Sequence, residues 1–290
     1  MADEVLAGSG GSGTWVVAEA LSRFIIPAAY GNRSVLRTAR IDTPDGAVIK
    51  RYTKYPLLAD ASVTEVESIA NSAFAPGEAN VQTARYGLAT EISDLAAMTG
   101  IISVAELGTQ MGNAMGSGIE TRLAALFAAF TASPLGTTTA ALTLASFLAG
   151  MLFIEENDLL DRGEIVFVGA PKAIGDLRAA IQAEDGTVFG SDAFGGASLN
   201  AIGMEWSLWG VRVLTSTKVA TANTGADYVS GMYPAGQLGP LVYQVQRDPR
   251  AVPVRGQEGE RKSSTAVIGT AFYGVGNIDP VAGIEFISAV

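Results

Sequence analysis

The sequence has no cysteine and no histidine. Without cysteine, a disulfide framework and thiolate chemistry are excluded. Without histidine, the usual general base and the commonest transition-metal ligand are gone. A Ser-His-Asp triad, an ordinary zinc site and a HExxH protease are therefore impossible. Positive charge is also scarce, with 19 Lys and Arg against 29 Asp and Glu and a net charge of −10. Such a balance argues against a surface built to grip nucleic acid. The longest apolar run, about residues 140–154, falls short of the ~20 residues of a membrane span. The stretch MADEVLAGSG has neither the basic nor the apolar region of a secretory signal, so a soluble, intracellular product is expected. Neither GxxxxGK[ST] nor GxSxG occurs. GSGGSG (8–13) fits G-x-G-x-x-G, but no strand precedes it, and it reads as a flexible linker. EENDLLDRG gathers Glu155, Glu156, Asp158 and Asp161 without EF-hand spacing, so it reads as a solvated face. Trp206 and Trp209 read as core or interface filler. No cofactor or metal site is expected.

What is present is a long chain of 290 residues, 48% hydrophobic, with 34 glycines. That is enough for one large domain or two small ones. The stretch VAELGTQMGNAMGSGIETRLAALFAAF, Val104 to Phe130, predicts one long helix. Ser103 and Glu106 form a capping box. Apolar residues recur at 104, 107, 111, 115, 119, 123, 126 and 130. Glycines at 108, 112 and 116 form a second stripe beside them, and Gly118 follows. Each glycine costs a helix roughly 0.5–1 kcal/mol relative to alanine. Their spacing allows another backbone to approach closely, while Glu106, Glu120 and Arg122 rule out lipid as the setting.

Residues 33–55, RSVLRTARIDTPDGAVIKRYTKY, predict a β-hairpin turning at Thr43-Pro44-Asp45-Gly46. Neither face of its alternation is cleanly apolar, and an isolated hairpin is marginal in water. The expectation is a protruding loop that finds support on another molecule. It carries six basic residues, Arg33, Arg37, Arg40, Lys50, Arg51 and Lys54, against two acidic ones. A basic loop on an acidic chain attracts other copies of itself. Arg37, Arg40, Lys50, Arg51 and Lys54 are the candidate inter-subunit contacts.

Elsewhere, TWVVAEALSRFIIPAAY predicts a docking arm with a short helix. A strand is expected over about 80–86, turning at Gly87. Helices are expected over 138–153 and 171–183, with GEIVFVGAP a strand between them. MEWSLWGVRVLTSTKVA predicts strands turning at Gly210. Further strands are expected over 240–248, 266–273 and 283–288, with a loop from Arg250 to Ser264. The class is α+β.

Three stretches carry a resemblance. NVQTARYGLATEISDLA running into the long helix resembles the entry strand and spine helix of the tailed-bacteriophage major capsid proteins. GEIVFVGAPKAIGDLRAAI is similar to that family's strand and following helix. WGVRVLTSTKVA, LVYQVQRDPRA and STAVIGTAFYGVGNIDPVAGIEFI resemble its closing region. The resemblance covers the whole chain.

It implies an HK-ninety-seven-like fold. The parts would be an N-terminal arm (1–32), an extended loop overlying a neighbour (33–75), a peripheral domain with the spine helix (76–130), an axial domain (131–238) and closing strands (239–290). It implies a structural protein, not an enzyme. Copies would assemble as hexamers and pentamers into an icosahedral shell around double-stranded DNA, without sequence-specific binding and without a membrane. The spine glycines would let the sheet and an adjoining chain lie close. A separate scaffolding protein is expected, because only about 30 residues precede the loop; a portal and a decoration or cement protein are the other partners. The location would be the virion, after assembly in the host cytoplasm. Some relatives cross-link lysine to asparagine, but nothing in the residues supports such a bond from Lys50 or Lys54 to Asn277. Two alternatives stand beside this reading. One is a cargo-enclosing nanocompartment shell of the same fold. The other is a soluble α+β enzyme using carboxylate or lysine chemistry.

Overall fold

The computed structural model describes residues 18–31, 33–43, 48–54, 77–93, 104–183, 205–222, 225–254 and 264–290. Its helices are α1 (Ala18–Tyr30), α2 (Val104–Ala124), α3 (Leu144–Glu156) and α4 (Pro171–Ala183). Its first strands are β1 (Arg40–Asp42), β2 (Ile49–Lys54), β3 (Gly77–Gln82), β4 (Ala84–Ser93), β5 (Leu135–Gly136) and β6 (Ile165–Gly169). The rest are β7 (Glu205–Leu208), β8 (Val211–Thr215), β9 (Thr221–Ala222), β10 (Asp227–Pro234), β11 (Leu241–Val254), β12 (Ser264–Asn277) and β13 (Ile284–Ala289).

The strands form two main sheets. One has four strands in the order β1-β11-β12-β4. The other has seven, running β5-β13-β10-β6-β8-β7 with β9 alongside β10. Helix α2 belongs to the first half and continues through a 3₁₀ turn (Ala125–Ala129) into the second. Phe127 there lies so close to β10 that a Cβ on Gly231 would sit 2.8 Å from its ring. The apolar stripe read from the sequence is the buried one: Met111, Met115, Ile119, Leu123 and Phe130 are all in the core. Met111 and Met115 lie over the four-stranded sheet at Gly269.

The glycine stripe packs on a different element from the expected sheet or adjoining chain. It receives α1, the chain's own arm helix. A Cβ at Gly108 would lie 2.9 Å from the Phe24 Cβ, one at Gly112 would lie 2.5 Å from the Ile25 carbonyl, and one at Gly116 would lie 2.3 Å from the Ala29 carbonyl. All three distances are below what a side chain tolerates, so glycine is what lets the two backbones touch. Gly118 faces only the end of the Arg122 side chain. Helix α1 buries Leu21, Ile25 and Ala29 against this seam, and Tyr30 reaches β11, its hydroxyl donating to Asp248 at 2.7 Å.

The expected hairpin is paired differently. Residues 33–39 form a helical turn closed by Arg37 N–H to Arg33 O and Ala39 N–H to Val35 O, with Val35, Leu36, Thr38 and Ala39 buried. That leaves only Arg40–Asp42 extended, and β1 adds in parallel to β11. Strand β2 instead pairs antiparallel with β3, Ile49 opposite Gln82 and Lys54 opposite Gly77. The Pro44-Asp45-Gly46 turn and residues 55–76, the far part of the expected loop, lie outside the described residues, as does Ser103. The β2–β3 ribbon crosses the outer face of the four-stranded sheet. Tyr52, Val81 and Val242 form a small core there, and a Cβ on Gly276 would lie 2.5 Å from Val81.

Other expectations shift at their boundaries. Strand β4 runs straight through Gly87 to Ser93, because Gly87 stands opposite Thr270 in the ladder with β12. Helix α3 begins at Leu144, six residues late, with the Thr143 hydroxyl capping Ser146 N–H. Strand β11 continues to Val254, past the expected start of a loop at Arg250. The β7–β8 connection is the expected turn at Gly210. Its two residues, Trp209 and Gly210, both take positive φ, 49° and 80°, the geometry of a primed hairpin turn that matches strand twist.

Candidate functional site

The described residues of the candidate contact region are the root of the expected loop, and two buried carboxylates organise it. Glu120 continues the four-residue spacing of Gly108, Gly112 and Gly116 by one more turn of α2. Where α1 ends, the chain's next segment meets this carboxylate. Glu120 accepts from Val35 N–H at 3.0 Å, Leu36 N–H at 3.4 Å and the Ser216 hydroxyl at 3.0 Å. The two amides belong to the first turn of the 33–39 helical segment, whose N–H groups have no partner within the turn. An acid at a helix N-terminus satisfies them and the local dipole together. Beside it the Thr38 hydroxyl donates to Val35 O at 2.7 Å and shares a 2.6 Å hydrogen bond with Tyr233. The Tyr233 hydroxyl is fully enclosed, and burial pushes its pKa up. Ser34 donates to Thr215 O at 2.7 Å. The 33–39 turn is thus locked between the spine helix and the seven-stranded half.

The second carboxylate is Asp279, in the link between β12 and β13. It pairs with Lys54 through one oxygen and with Arg162 Nη1 at 2.6 Å through the other. Burial pushes its carboxyl up, but the hydrogen bonds from Lys54 and Arg162 outweigh that and hold it below the usual carboxylate range. A third acid, Asp42, accepts from Lys50 Nζ at 2.8 Å and from the Tyr52 hydroxyl at 2.9 Å. There too desolvation raises the carboxyl, and the Lys50 and Tyr52 hydrogen bonds reverse it to a net lowering. Arg40 stands 3.7 Å from the same oxygen and donates to Gln237 O.

The five candidate contacts therefore divide. Arg40, Lys50 and Lys54 turn inward to carboxylates of their own chain, and Arg40 and Lys50 meet around Asp42. Arg51 points outward, 73% exposed, with Glu78 at 3.8 Å, and Arg37 is exposed. The odd alternation of the second arm now has a cause. Lys50, Tyr52 and Lys54 face the chain's own body, where two acids receive the lysines; Ile49, Arg51 and Thr53 face out. Sequence reasoning missed Glu120, Asp279 and Arg162 as organisers. Asp279 lies 225 residues from Lys54 and 117 from Arg162, so no local pattern marks it.

What this arrangement does is mechanical: it ties the 33–43 segment and β2 to the body of the chain. Among the described residues, no group of three or more acidic residues is placed to hold a metal ion, and no helix is long and apolar enough to cross a membrane.

Comparison with known proteins accords with this architecture. The fold resembles the capsid of cyanophage P-SCSP1u, at TM-score 0.63 and 16% identity, covering 88% of this chain and 87% of that one. It resembles the capsid of cyanophage Pam1 at TM-score 0.65 and 13% identity, covering 90% and 93%. A virus-like particle from Pyrococcus furiosus matches at TM-score 0.60 and 11% identity, covering 92% and 98%. No curated protein matches in sequence. At these identities the structures show a shared HK-ninety-seven-like fold. The model of the phage capsid protein family matches residues 77–285, which take in the spine helix and most of both sheets. The chain belongs to the phage capsid protein family, as a protein that builds a capsid shell from copies of itself.

Proposed function

We propose that this is the major capsid protein of a tailed phage, closing as hexamers and pentamers into an icosahedral head around double-stranded DNA. The observation that carries the proposal is the family match from β3 to β13, which spans both halves of the fold. The same match favours a phage head over a cargo-enclosing nanocompartment. The protein's work is association, not catalysis. Many modest contacts suffice, because ring closure makes the later ones intramolecular. The net charge of −10 suits a wall that must let DNA slide in and out, since phosphate contacts dominate non-specific affinity.

The proposed domain division keeps residues 1–32 as an arm, 33–75 as the extended loop, 76–130 as the peripheral part, 131–238 as the axial part and 239–290 as closing strands. The five basic residues act in two ways. Arg37 and Arg51 meet the neighbouring copy. Arg40, Lys50 and Lys54 serve the same contact indirectly, aiming the loop through Asp42 and Asp279. The expected partners are a separate scaffolding protein, a portal and a decoration protein, with assembly in the host cytoplasm.

Electron microscopy of the purified protein, alone and with the neighbouring gene products of its genome, tests the reading. Closed shells holding nuclease-protected double-stranded DNA are expected from the infected host. Shells that hold a packaged enzyme and no DNA would overturn it.

A further inference from the structure

Helix α3 contains no charged residue between Leu144 and Ile154. A helix apolar on every side belongs in a core or a bilayer. Among the described residues one stripe is buried, Leu144, Phe147, Gly150 and Ile154, with Met151 and Phe153 half-buried beside it. On a flanking stripe Leu148 is 44% exposed and Leu152 is 53% exposed. Leu160, just beyond the helix, is 56% exposed. At the same end of the helix a cavity of about 250 Å³ opens between Met151, Ile154, Leu160 and Trp209. Trp209 holds φ at 49°, a value uncommon for a bulky residue. The turn thus keeps a large aromatic ring at the cavity wall, where glycine would suit the backbone better. The cavity rim carries Glu155, and Glu156, Asp158 and Asp161, close by in sequence, are exposed as well.

We infer that the outer stripe of α3 and this cavity form a contact face that a second copy of the chain covers. The inference rests on the capsid-shell reading and names the surface that reading leaves open. A bilayer is not the occupant, because thirteen residues fall short of a span. The rim asks for a partner carrying apolar groups together with cations. Another copy offers both on its surface: Arg37, Arg51 and Arg85 are exposed, and so are Val48 and Ile49. Apolar anchors in a pocket with a charged rim are the usual anatomy of a specific interface.

The chain's lack of cysteine gives a clean test. In a Leu152→Cys chain the only thiol lies on the proposed face. Maleimide is expected to label it in isolated subunits, and labelling is expected to be lost in assembled shells. A Leu148→Asp, Leu152→Asp chain is expected to keep the circular dichroism and melting temperature of the wild type, because both positions are exposed, yet to form no shells. Equal labelling in shells and subunits would overturn the inference alone, since shells would still exist. Protection already present in isolated subunits would also overturn it, showing that the chain covers its own helix. A wild-type protein that never forms shells would overturn the shell reading, and this face with it.

Discussion

Helices α2 and α3 are built from opposite materials and solve opposite problems. Helix α2 has a stripe of glycines, and that stripe is covered from within: α1 lies on it with backbone against backbone. Helix α3 has leucines that the described residues of its own chain leave exposed. A bare glycine seam is too intimate to form by loose docking, because carbonyl oxygens would crowd a Cβ added at Gly112 or Gly116. It therefore suits a permanent intramolecular joint. Projecting leucines next to a cavity suit a joint made later, between finished subunits. The glycine stripe stands out in the sequence and is resolved inside the monomer; the leucines of α3 show their exposure only in the fold.

The comparison can be broken most sharply at the glycine seam. Gly112→Leu drives a side chain into the Ile25 carbonyl and the Ala28 Cβ. A loss on the order of 3 kcal/mol is expected from overpacking, read as a lower urea midpoint, with α1 released from α2. Unchanged stability would mean that the arm helix does not rest there. Next in size is Glu120→Ala, which strands the Val35 and Leu36 amides and the Ser216 hydroxyl. A loss of about 2–3 kcal/mol in all is expected, in the range for buried groups left unsatisfied. Urea unfolding should show the loss, and hydrogen exchange should show the 33–39 turn opening first.

Asp279→Asn comes third, with an expected loss of about 1.5–3 kcal/mol from charge-assisted hydrogen bonds. Its pH dependence identifies the cause. The folded carboxyl is held below its unfolded value by Lys54 and Arg162. The stabilisation is therefore fully present above the unfolded pKa of about 3.9 and is lost as pH falls through the lower folded value. Wild type should exceed the variant at neutral pH, and the gap should close in acid. A gap that persisted at the lowest pH would point to packing instead of charge.

Smaller still is Gly118→Ala. Only the flexible end of Arg122 stands near that position, so a gain of about 0.5–1 kcal/mol is expected from helix propensity. One helix would then hold glycines whose replacement acts in opposite directions, a contrast thermal melting can read directly. The smallest effect on the monomer belongs to Arg51→Glu. Its ion pair with Glu78 is exposed, and a change within about 0.5 kcal/mol is expected. Shell yield by sedimentation should fall nonetheless. A normal yield would remove Arg51 from the contact set.

Much of this was legible in the residues. The apolar repeat of α2 matched its buried face because a 3.6-residue period is a local property. GEIVFVGAP gave β6 and the start of α4 because a short apolar run with proline after it permits little else. The glycine stripe announced a close backbone approach. It could not name the partner, since α1 lies about eighty residues away and no local pattern links the two. The hairpin failed for a related reason. Thr43-Pro44-Asp45-Gly46 is a sound turn signal, and it suggested that its flanks pair with each other. Tertiary packing offered better partners: β11 had an open edge for β1, and β3 carried Val81 to join Tyr52 over the glycines of β12.

The sequence alone determined the class of protein. It removed histidine and cysteine chemistry, set the period of the spine helix, and preserved enough ordered stretches to match a capsid family over most of the chain. The tertiary structure alone decided which charges are spent inside the subunit. Lys50 and Lys54 read as contacts because charge is visible in a string of residues, but which carboxylate receives each is not, least of all for Lys54, whose partner lies 225 residues away. Asp279 and Lys54 are neighbours only once two sheets have closed on each other, because hydrogen bonds and ion pairs act over a few ångströms and the chain brings those ångströms together by folding.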